Sequence, residues 1–389
     1  MAMPDSRLRV LNNLRLCTRC LLPETQETIV FDDQGVCNVC RQIEYKQTQI
    51  DWAAKKKEFD DLLDLHRGKY AYDCIVPFSG GKDSTYTLYH LVRDFGLRPL
   101  VVSFDHGFFR PRTLENNDRT LKILGVDFLK FRPNWRVVQK LMLEAFKRKG
   151  DFCWHCHAGC FTYPMQIAVK FKIPLVIWGE PTAEYTSYYS YEDKEEVDER
   201  RFNRFVNLGI TAEDMLGMLD GTVTMQDLEP FRYPNIQELR AINCRSVCLG
   251  SYIPWDVKKH VEIIKRELHW QEDDVEGIPK AYRYEKVECA MQGVRDYLKF
   301  IKRGFGRTNH LVNIDIRNGR LSREEAMRLV QEHDGKRPAS LDVFLEYVGL
   351  TEEEFMAIAL QHVVSPHVHD DRTVLPGEKL WDQDQWNRS

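Results

Sequence analysis

A glycine-rich turn between an apolar run and a helix-compatible stretch is the feature that most constrains how this chain folds. The turn reads Ser-Gly-Gly-Lys-Asp-Ser over residues 79–84, after the apolar residues 74–78 and before a helix-compatible stretch at 85–92. Adjacent glycines let a backbone approach an anion closely, and the first amide groups of a helix have no carbonyl partners. The pattern therefore predicts a buried strand, a phosphate-binding turn and a helix.

The spacing within this turn differs from the Walker form, which needs Gly-x4-Gly-Lys-Ser/Thr. Here the glycines are adjacent, and Asp83 separates Lys82 from Ser84. The hexapeptide resembles the pyrophosphate loop (PP-loop) of enzymes that split ATP into AMP and pyrophosphate, such as GMP synthetase, NAD synthetase, asparagine synthetase and tRNA-thiolating enzymes. A glycine-rich turn without a ligand is the alternative. The residues expected to bind ATP are Ser79, Gly80, Gly81, Lys82, Asp83, Ser84 and Asp105.

Transfer of AMP needs charge stabilisation and positioning more than covalent work by the protein. We expect Lys82 to neutralise the departing pyrophosphate, and Asp83 and Glu180 to bind Mg²⁺, so these three are the predicted catalytic residues. Asp105 is expected beside the adenosine. The alternatives are structural. Asp83 can serve only to stabilise the helix dipole, Asp105 can be a turn or helix-cap residue, and Glu180 can be a solvent-exposed acid in a loop.

Strands and helices alternate after the turn. The predicted strands are 72–78, 99–105, 127–131 and 174–178, and the predicted helices are 85–94, 113–124, 137–149 and 161–171. Such alternation predicts βαβ units and a mostly parallel sheet. Ligands of these sheets bind beyond the carboxyl ends of the strands, which places residues 79–84, 105–107 and 179–180 on one edge.

Two Cys-x2-Cys pairs near the amino terminus indicate a metal site. Sixteen residues separate the pair Cys17 and Cys20 from the pair Cys37 and Cys40, a spacing typical of zinc ribbons. Four thiolates leave no open coordination position, so we expect Zn²⁺ to stabilise a segment too poor in apolar residues to fold alone. An iron–sulfur cluster and free thiols are the alternatives.

A second group of cysteines leaves three interpretations open. One is a second metal site formed by Cys153, Cys156, Cys244 and Cys248. Another is an iron–sulfur or redox site like those of tRNA-thiolating enzymes. The third is a set of buried thiols in the wall of a substrate pocket, because unpaired cysteines are among the most buried residues.

The last part of the chain is predicted to be helical, at 257–268, 284–305, 322–333, 341–348 and 352–361, and Ser322 and Glu325 have capping-box spacing. Residues 184–207 are polar and rich in tyrosine, which predicts a long loop or lid. Three domains are therefore predicted: a zinc ribbon with a linking helix (1–68), an ATP-binding domain (69–259) and a helical domain (260–389).

Cations recur around the glycines of the predicted helical domain. Arg295, Lys302, Arg303 and Arg307 can bind a carboxylate, a sugar phosphate or a nucleotide diphosphate. The alternative is a solvated helix end whose cations complement the helix dipole.

Composition narrows the function classes. The 389 residues are 43% apolar and 29% charged, with a formal net charge of −4, so no global field attracts nucleic acid. No apolar run approaches the length of a membrane helix, and residues 1–10 lack the apolar core of a signal peptide. We therefore expect a cytoplasmic protein that binds neither membrane nor nucleic acid.

Taken together, the motifs resemble the N-acetyl sugar amidotransferase family of lipopolysaccharide (O-antigen) and nonulosonic-acid biosynthesis. The motifs that carry the resemblance are the two cysteine pairs, the turn with its preceding Pro-Phe, Thr-Tyr-Pro-Met (162–165), Ile-Trp-Gly-Glu-Pro (177–181), Glu184-Tyr185, Gly-Val-Arg-Asp-Tyr (293–297), Lys-Arg-Gly (302–304), Asp-Ile-Arg-Asn-Gly-Arg (315–320) and Asp-Gly-Lys-Arg-Pro (334–338). The resemblance implies an α/β, PP-loop (adenine nucleotide alpha-hydrolase-like) domain with the two flanking domains, and it adds Glu184 and Tyr185 to the substrate-binding candidates.

The resemblance also implies a reaction. ATP adenylates the oxygen of a sugar acetamido group, and ammonia then displaces AMP to leave an acetamidino group. In the family, ammonia comes from a glutaminase partner that resembles the histidine-pathway glutamine amidotransferase and its cyclase companion. Two other hypotheses stay open: a tRNA-thiolating enzyme with zinc and an iron–sulfur cluster, and a non-catalytic zinc scaffold that keeps a nucleotide loop.

Overall fold

A five-stranded parallel sheet organises the chain in the computed structural model, which describes residues 11, 13–184, 190–192, 202, 206–371 and 374. The strands are β1 (Cys74–Pro77), β2 (Pro99–Phe104), β3 (Asp127–Phe131), β4 (Leu175–Trp178) and β5 (Arg245–Cys248). They lie in the order β3-β2-β1-β4-β5, and every neighbouring pair is parallel. The strand order reverses between β1 and β4, which is where ligands of such sheets bind.

Nine helices of the described chain precede or connect these strands. They are α1 (Asn38–Thr48), α2 (Trp52–Asp64), α3 (Lys82–Arg93), α4 (Pro111–Leu124), α5 (Trp135–Lys149), α6 (Trp154–Phe171), α7 (Ala212–Met218), α8 (Met225–Leu228) and α9 (Ile236–Ala241). Six more follow β5: α10 (Val257–Leu268), α11 (Gln292–Arg303), α12 (Arg307–Arg317), α13 (Arg323–His333), α14 (Ser340–Val348) and α15 (Glu352–Leu360).

Both faces of the sheet are buried, which explains why its central strands are continuous apolar runs. Because side chains alternate along a strand, Cys74 and Val76 lie in one core with α2, α3 and α10, whereas Ile75 lies in another with α6. The predicted α/β class with a parallel sheet is confirmed.

The carboxy-terminal helices share cores with the earlier part of the chain. Phe146 of α5 packs with Phe344 of α14 and Phe355 of α15, and helix α11 contributes Leu298 and Ile301 to the same cluster. Aromatic rings join the elements, since the Phe146 and Phe355 centroids lie 5.0 Å apart. The domain boundaries at residues 68 and 259 stay a prediction.

The segment that carries the first four cysteines docks on helices α12 and α13. The amide of Leu21 donates to Oδ1 of Asn313 at 2.6 Å, and Nδ2 of Asn309 donates to the carbonyl of Leu21 at 3.0 Å. Arg323 donates to the carbonyls of Cys17 and Cys20 at 3.1 and 3.2 Å. Both asparagines are fully buried, so this contact is part of the protein interior.

Two helix predictions were wrong. The helix predicted at 161–171 begins seven residues earlier, at Trp154, because it is buried on most sides and has little amphipathic pattern to reveal its start. The helix predicted at 284–305 begins only at Gln292. Lys286 has a left-handed backbone with φ of 52°, which a continuous α-helix does not allow.

The sequence did not predict strand β5, and it predicted a loop at 184–207. The strand β5 was missed because its apolar run is only two or three residues long. The loop predicted at 184–207 falls largely outside the described residues. Within the part of the chain that the structure describes, no helix has the length and apolarity to cross a membrane.

Candidate active site

The glycine-rich turn lies between the carboxyl end of β1 and the start of α3. Gly80 has a positive φ of 83°, and a Cβ there would lie 1.7 Å from Oδ1 of Asn117. A Cβ on Gly81 would lie 2.7 Å from Oε2 of Glu288. Gly81 caps α3 without any side-chain hydrogen bond, so the first-turn amides of α3 have no side-chain cap and suit an anion.

The two serines of the turn shape its backbone. Oγ of Ser84 accepts hydrogen bonds from the amides of Ser79 and Gly80 at 3.2 and 3.1 Å and donates to the carbonyl of Gly81 at 3.2 Å. The amide of Gly81 donates to Oγ of Ser79 at 3.3 Å. Their hydroxyls therefore hold the turn open for a ligand before any ligand is bound.

A cavity of about 240 Å³ opens beside the turn, beyond the carboxyl ends of β1, β2 and β4. The polar part of its wall is the turn, Gly179, Glu180, Lys286 and Glu288. The aromatic part is Phe78, Phe104, Phe161 and Trp178, of which Phe161 and Trp178 are stacked with centroids 4.7 Å apart. Charged groups together with aromatic rings suit a nucleotide with its phosphates at the turn.

Lys82 is the buried cation at the floor of this cavity. It is 4% exposed, and its Nζ lies 2.6 Å from Oδ2 of Asp83 and 2.9 Å from Oε2 of Glu285. Burial opposes the charge, but Asp83, Glu285 and Glu180 together raise the pKa of Lys82 well above its usual value. The ammonium therefore stays charged at neutral pH.

Asp83 and Glu180 form a pair of facing carboxyl groups in the same wall. Burial and the charge of Asp83 raise the pKa of Glu180 to about 8, whereas Lys82 overcomes the burial of Asp83 and holds its pKa below the usual range. Oδ1 of Asp83 is buried, with no hydrogen-bond partner among the described residues. Mg²⁺ binds through one or two carboxylates together with substrate phosphates, so this pair fits that ion.

Residues 285–288 belong to the site, and the sequence did not reveal them. Glu285 bonds Lys82, and Lys286 and Glu288 line the cavity. Their distance from the turn along the chain conceals the contact. The signal that was available is the mixture of charges in Glu-Lys-Val-Glu, which lacks the apolar period of the helix that was predicted there.

Asp105 does not face the cavity. Its Oδ1 accepts from the amide of Gly107 at 3.0 Å and its Oδ2 accepts from Nε of Arg132 at 2.8 Å, with Lys130 at 3.6 Å. The structure therefore supports the turn role that was the alternative for Asp105. The preceding residue, Phe104, lines the cavity in its place.

The first four cysteines form a buried cluster that fits a tetrahedral metal ion. Their sulfur atoms, from Cys17, Cys20, Cys37 and Cys40, all lie within 4.8 Å of one another. Cys17 Sγ lies 3.9 Å from Cys40 Sγ, and Cys20 Sγ lies 3.8 Å from Cys37 Sγ. Zinc–sulfur bonds of about 2.3 Å in a tetrahedron require sulfur separations of about 3.8 Å. Backbone amides also donate to Sγ of Cys17 and Cys37, as thiolate ligands require.

The structure does not bring the other four cysteines together. Cys244 comes just before β5 and Cys248 ends it, about 13 Å away at the rise of a strand, which is a distance that no single ion spans. Cys153 and Cys156 begin α6, where a hydrogen bond with Cys160 and burial raise the pKa of Cys156 and burial raises that of Cys153. The raised pKa values favour protonated thiols at Cys153 and Cys156 over metal-binding thiolates.

The substrate-binding candidates fall into two groups. Glu184 is buried and accepts hydrogen bonds from Nζ of Lys46 and from the hydroxyl of Tyr191, both at 2.6 Å, so its place is in the interior. Tyr185 lies outside the described residues. The four cations Arg295, Lys302, Arg303 and Arg307 do come together, in the wall of a second cavity of about 210 Å³.

Comparison with known proteins adds a family match for part of the chain. Residues 257–386 match the family model described as "LPS biosynthesis protein WbpG-like, C-terminal domain". This match confirms the resemblance to lipopolysaccharide biosynthesis proteins for about the last third of the chain.

An uncharacterised protein of Methanocaldococcus jannaschii is 29% identical over 142 residues, which are 36% of this chain and 50% of that protein. The chain thus spans about half the length of the curated relative that it matches. Among solved structures, NMN synthetase from Francisella tularensis aligns with 11% identity over 70% of this chain and 94% of that chain, with a TM-score of 0.32. A likeness this weak carries no argument.

Proposed function

We propose that this chain is an AMP-forming, ATP-dependent amidotransferase that converts the acetamido group of a bacterial surface sugar into an acetamidino group. The observation that carries the proposal is the buried, charged Lys82 beside the facing carboxyls of Asp83 and Glu180, at the turn where α3 begins. The match to a lipopolysaccharide biosynthesis domain supports a sugar as the acceptor.

In the first step, the acetamido oxygen attacks the α-phosphorus of ATP. A bond forms between these two atoms, the bond to the bridging oxygen breaks, and pyrophosphate leaves. Lys82 and the first-turn amides of α3 stabilise the negative charge that develops on pyrophosphate. Mg²⁺, when held by Asp83 and Glu180, would neutralise phosphate charge at the same place.

In the second step, ammonia attacks the carbon that carries the activated oxygen. AMP leaves with that oxygen, and loss of a proton gives the amidine. An amide oxygen is a poor leaving group, so its conversion to AMP is what makes the substitution feasible. We infer that ammonia arrives from a separate glutaminase partner, as in the family that the motifs resemble.

The test is product analysis with and without Lys82. We expect AMP and pyrophosphate only when ATP, an N-acetyl sugar and ammonium are all present, and we expect Lys82→Ala to reduce the rate at least about 1,000-fold because the leaving-group charge loses its cation. Lys122→Ala, on the exposed face of α4, is the matched control. Metal content and the melting temperature show whether each variant is folded. Formation of ADP, or a wild-type rate for folded Lys82→Ala, would contradict the proposal.

One observation favours a second candidate, a tRNA-thiolating enzyme. Cys160 lines the nucleotide cavity, and Cys156 is hydrogen-bonded to it, so a thiol stands near the place where an adenylated group would form. The net charge of −4 weighs against RNA binding. Iron in the purified protein and transfer of sulfur to tRNA would favour this candidate.

A further inference from the structure

A second cavity, of about 210 Å³, lies next to the nucleotide cavity and has no role in the chemistry described above. Helices α11 and α12, the end of α5 and the amino-terminal cysteine segment contribute its wall. Its cationic side chains are Arg295, Lys299, Lys302, Arg303 and Arg307, and its acidic side chains are Glu27, Asp151 and Asp296. We call this space the basic cavity.

The wall of the basic cavity carries an excess of two positive charges when Lys299 is protonated, because five basic side chains then face three carboxylates. The remaining titratable group, His310, adds no charge, since burial and the nearby Arg307 hold its pKa well below the usual value. A dianion would balance the cavity, whereas a single carboxylate would leave one charge uncompensated.

Each acidic group of the wall already forms an ion pair with one of the cations. Asp296 lies 3.1 Å from Arg307, Asp151 lies 3.6 Å from Arg295, and Glu27 pairs with Arg303. Lys302 is held by backbone carbonyls, at 2.8 Å from that of Gly150. Arg295, Lys302, Arg303 and Arg307 are therefore held in place before any ligand arrives, which lowers the entropy cost of binding.

Lys299, like Lys302, has no acidic partner among the described residues of the wall. Its Nζ lies 4.2 Å from the ring centroid of Phe305, and it forms no ion pair within the described ranges. Burial and the neighbouring Arg307 lower the pKa of Lys299 to about 7. An anion in the cavity would restore its charge.

A single carboxylate connects the basic cavity to the nucleotide cavity. Oε1 of Glu285 lies 3.8 Å from Nη1 of Arg307, and Oε2 of Glu285 lies 2.9 Å from Nζ of Lys82. Glu285 therefore pairs both with a cation of the basic cavity and with the cation of the glycine-rich turn.

We propose that the basic cavity binds the phosphate of a glycosyl phosphate, so that the acceptor is a phosphorylated sugar and not a free one. The inference rests on the proposed function for the identity of the sugar, but the binding itself does not depend on turnover. The phosphate would anchor the sugar at Lys299 and Arg307 and leave its acetamido group to reach the α-phosphorus of ATP.

Calorimetry on the full-length protein tests this, with α,β-methylene ATP present to fill the nucleotide cavity without reacting. The probes are N-acetylglucosamine 1-phosphate, neutral N-acetylglucosamine and glucuronate. We expect the phosphate ester to bind at least about tenfold more tightly than the other two. Lys299→Gln should weaken it by about tenfold or more without changing the affinity for the ATP analogue, and Lys259→Gln, exposed on α10, is the matched control.

Proton uptake on binding gives a second measurement. It is expected if Lys299 contacts the ligand and not if Lys299 only stabilises the fold. Near pH 8 the amine of Lys299 is mostly neutral in the free protein. Binding of a dianion among Arg303, Arg307, Asp296, Glu27 and His310 should therefore make Lys299 take up a proton. Lys299→Gln has no amine and should show no such uptake. In the affinity measurement, Lys302→Gln replaces Lys299→Gln if the latter does not fold.

Equal binding of the ester and the neutral sugar, or an unchanged affinity in folded Lys299→Gln, would overturn the inference. Glucuronate that binds as tightly as the ester would overturn it in favour of a carboxylate site. Failure of the proposed function would give different results. An ester that binds but yields no AMP contradicts only the reaction. AMP that forms equally well with the neutral sugar contradicts only the role of the basic cavity.

Discussion

Individual residues of the site are held by partners from distant parts of the chain. Lys82 belongs to the first turn of α3, yet one of its two carboxylate partners is Glu285. Asn117 of α4 fills the space above Gly80, and Glu288 fills the space above Gly81. The turn therefore keeps its shape through contacts that only the folded chain supplies.

Gly80→Ala should remove activity because the new Cβ meets Asn117 and because the residue has a positive φ. A non-glycine residue in that backbone costs about 1 kcal/mol before any clash is counted. We expect ATP binding, measured by calorimetry, to fall by about tenfold or more. Gly217→Ala is the control, since a Cβ there meets no atom within 4 Å and the site is in helix α7. Wild-type ATP affinity in Gly80→Ala would show that the turn does not hold phosphate.

At the scale of elements, the segment that carries the first four cysteines supplies both the candidate metal site and part of the wall of the basic cavity. Its backbone binds Asn313, Asn309 and Arg323 on α12 and α13. Between the two cysteine pairs, Oγ1 of Thr25 donates to the carbonyl of Arg303 at 2.7 Å, and Glu27 lines the basic cavity. The cysteine segment therefore links the candidate metal site to the wall of the basic cavity.

Cys37→Ser should lose zinc and destabilise the protein by several kcal/mol, because a four-thiolate site without its ion leaves buried sulfurs unpaired. Elemental analysis and the melting temperature measure the two effects. We expect binding of the phosphate ester to weaken more than binding of ATP, since the segment forms part of only the basic cavity. Cys244→Ser, just before β5, is the control. Full zinc content in Cys37→Ser would contradict the four-cysteine site.

Local sequence patterns predicted several elements correctly. Strand β3 and helix α10 have the predicted bounds, Gly125 ends α4 with a left-handed φ of 65°, and Ser322 and Glu325 form the expected capping box. Residues 285–288 could not be placed in the same way, because their conformation depends on Lys82 and the cavity. The aromatic wall was likewise hidden, since Phe161 and Trp178 meet only in the folded protein.

The candidate site was predictable as far as the rule for parallel sheets extends. That rule grouped the turn with Glu180 because both follow strands, and the structure places them in one cavity. It also grouped Asp105, whose carboxylate the structure directs to Arg132 and the amide of Gly107. A strand end fixes where a residue lies, but its neighbours decide what its side chain binds.

At the scale of the whole molecule, three stretches that are far apart in sequence enclose adjoining cavities. The sheet supplies the nucleotide cavity, helices α11 and α12 supply the cations of the basic cavity, and the cysteine segment closes the latter. Glu285 links the two, because it pairs with Arg307 of the basic cavity and with Lys82 of the nucleotide cavity. This arrangement suits two substrates that must meet at one phosphorus atom.

Mass spectrometry of a single reaction tests the central claim most directly. The mixture contains the protein, ATP, magnesium, ammonium and N-acetylglucosamine 1-phosphate, and both the nucleotide and the sugar products are measured. The account predicts equal amounts of AMP and of a sugar that is about 1 Da lighter, because NH has replaced the activated oxygen. AMP with no change in sugar mass, or ADP as the nucleotide product, would contradict it.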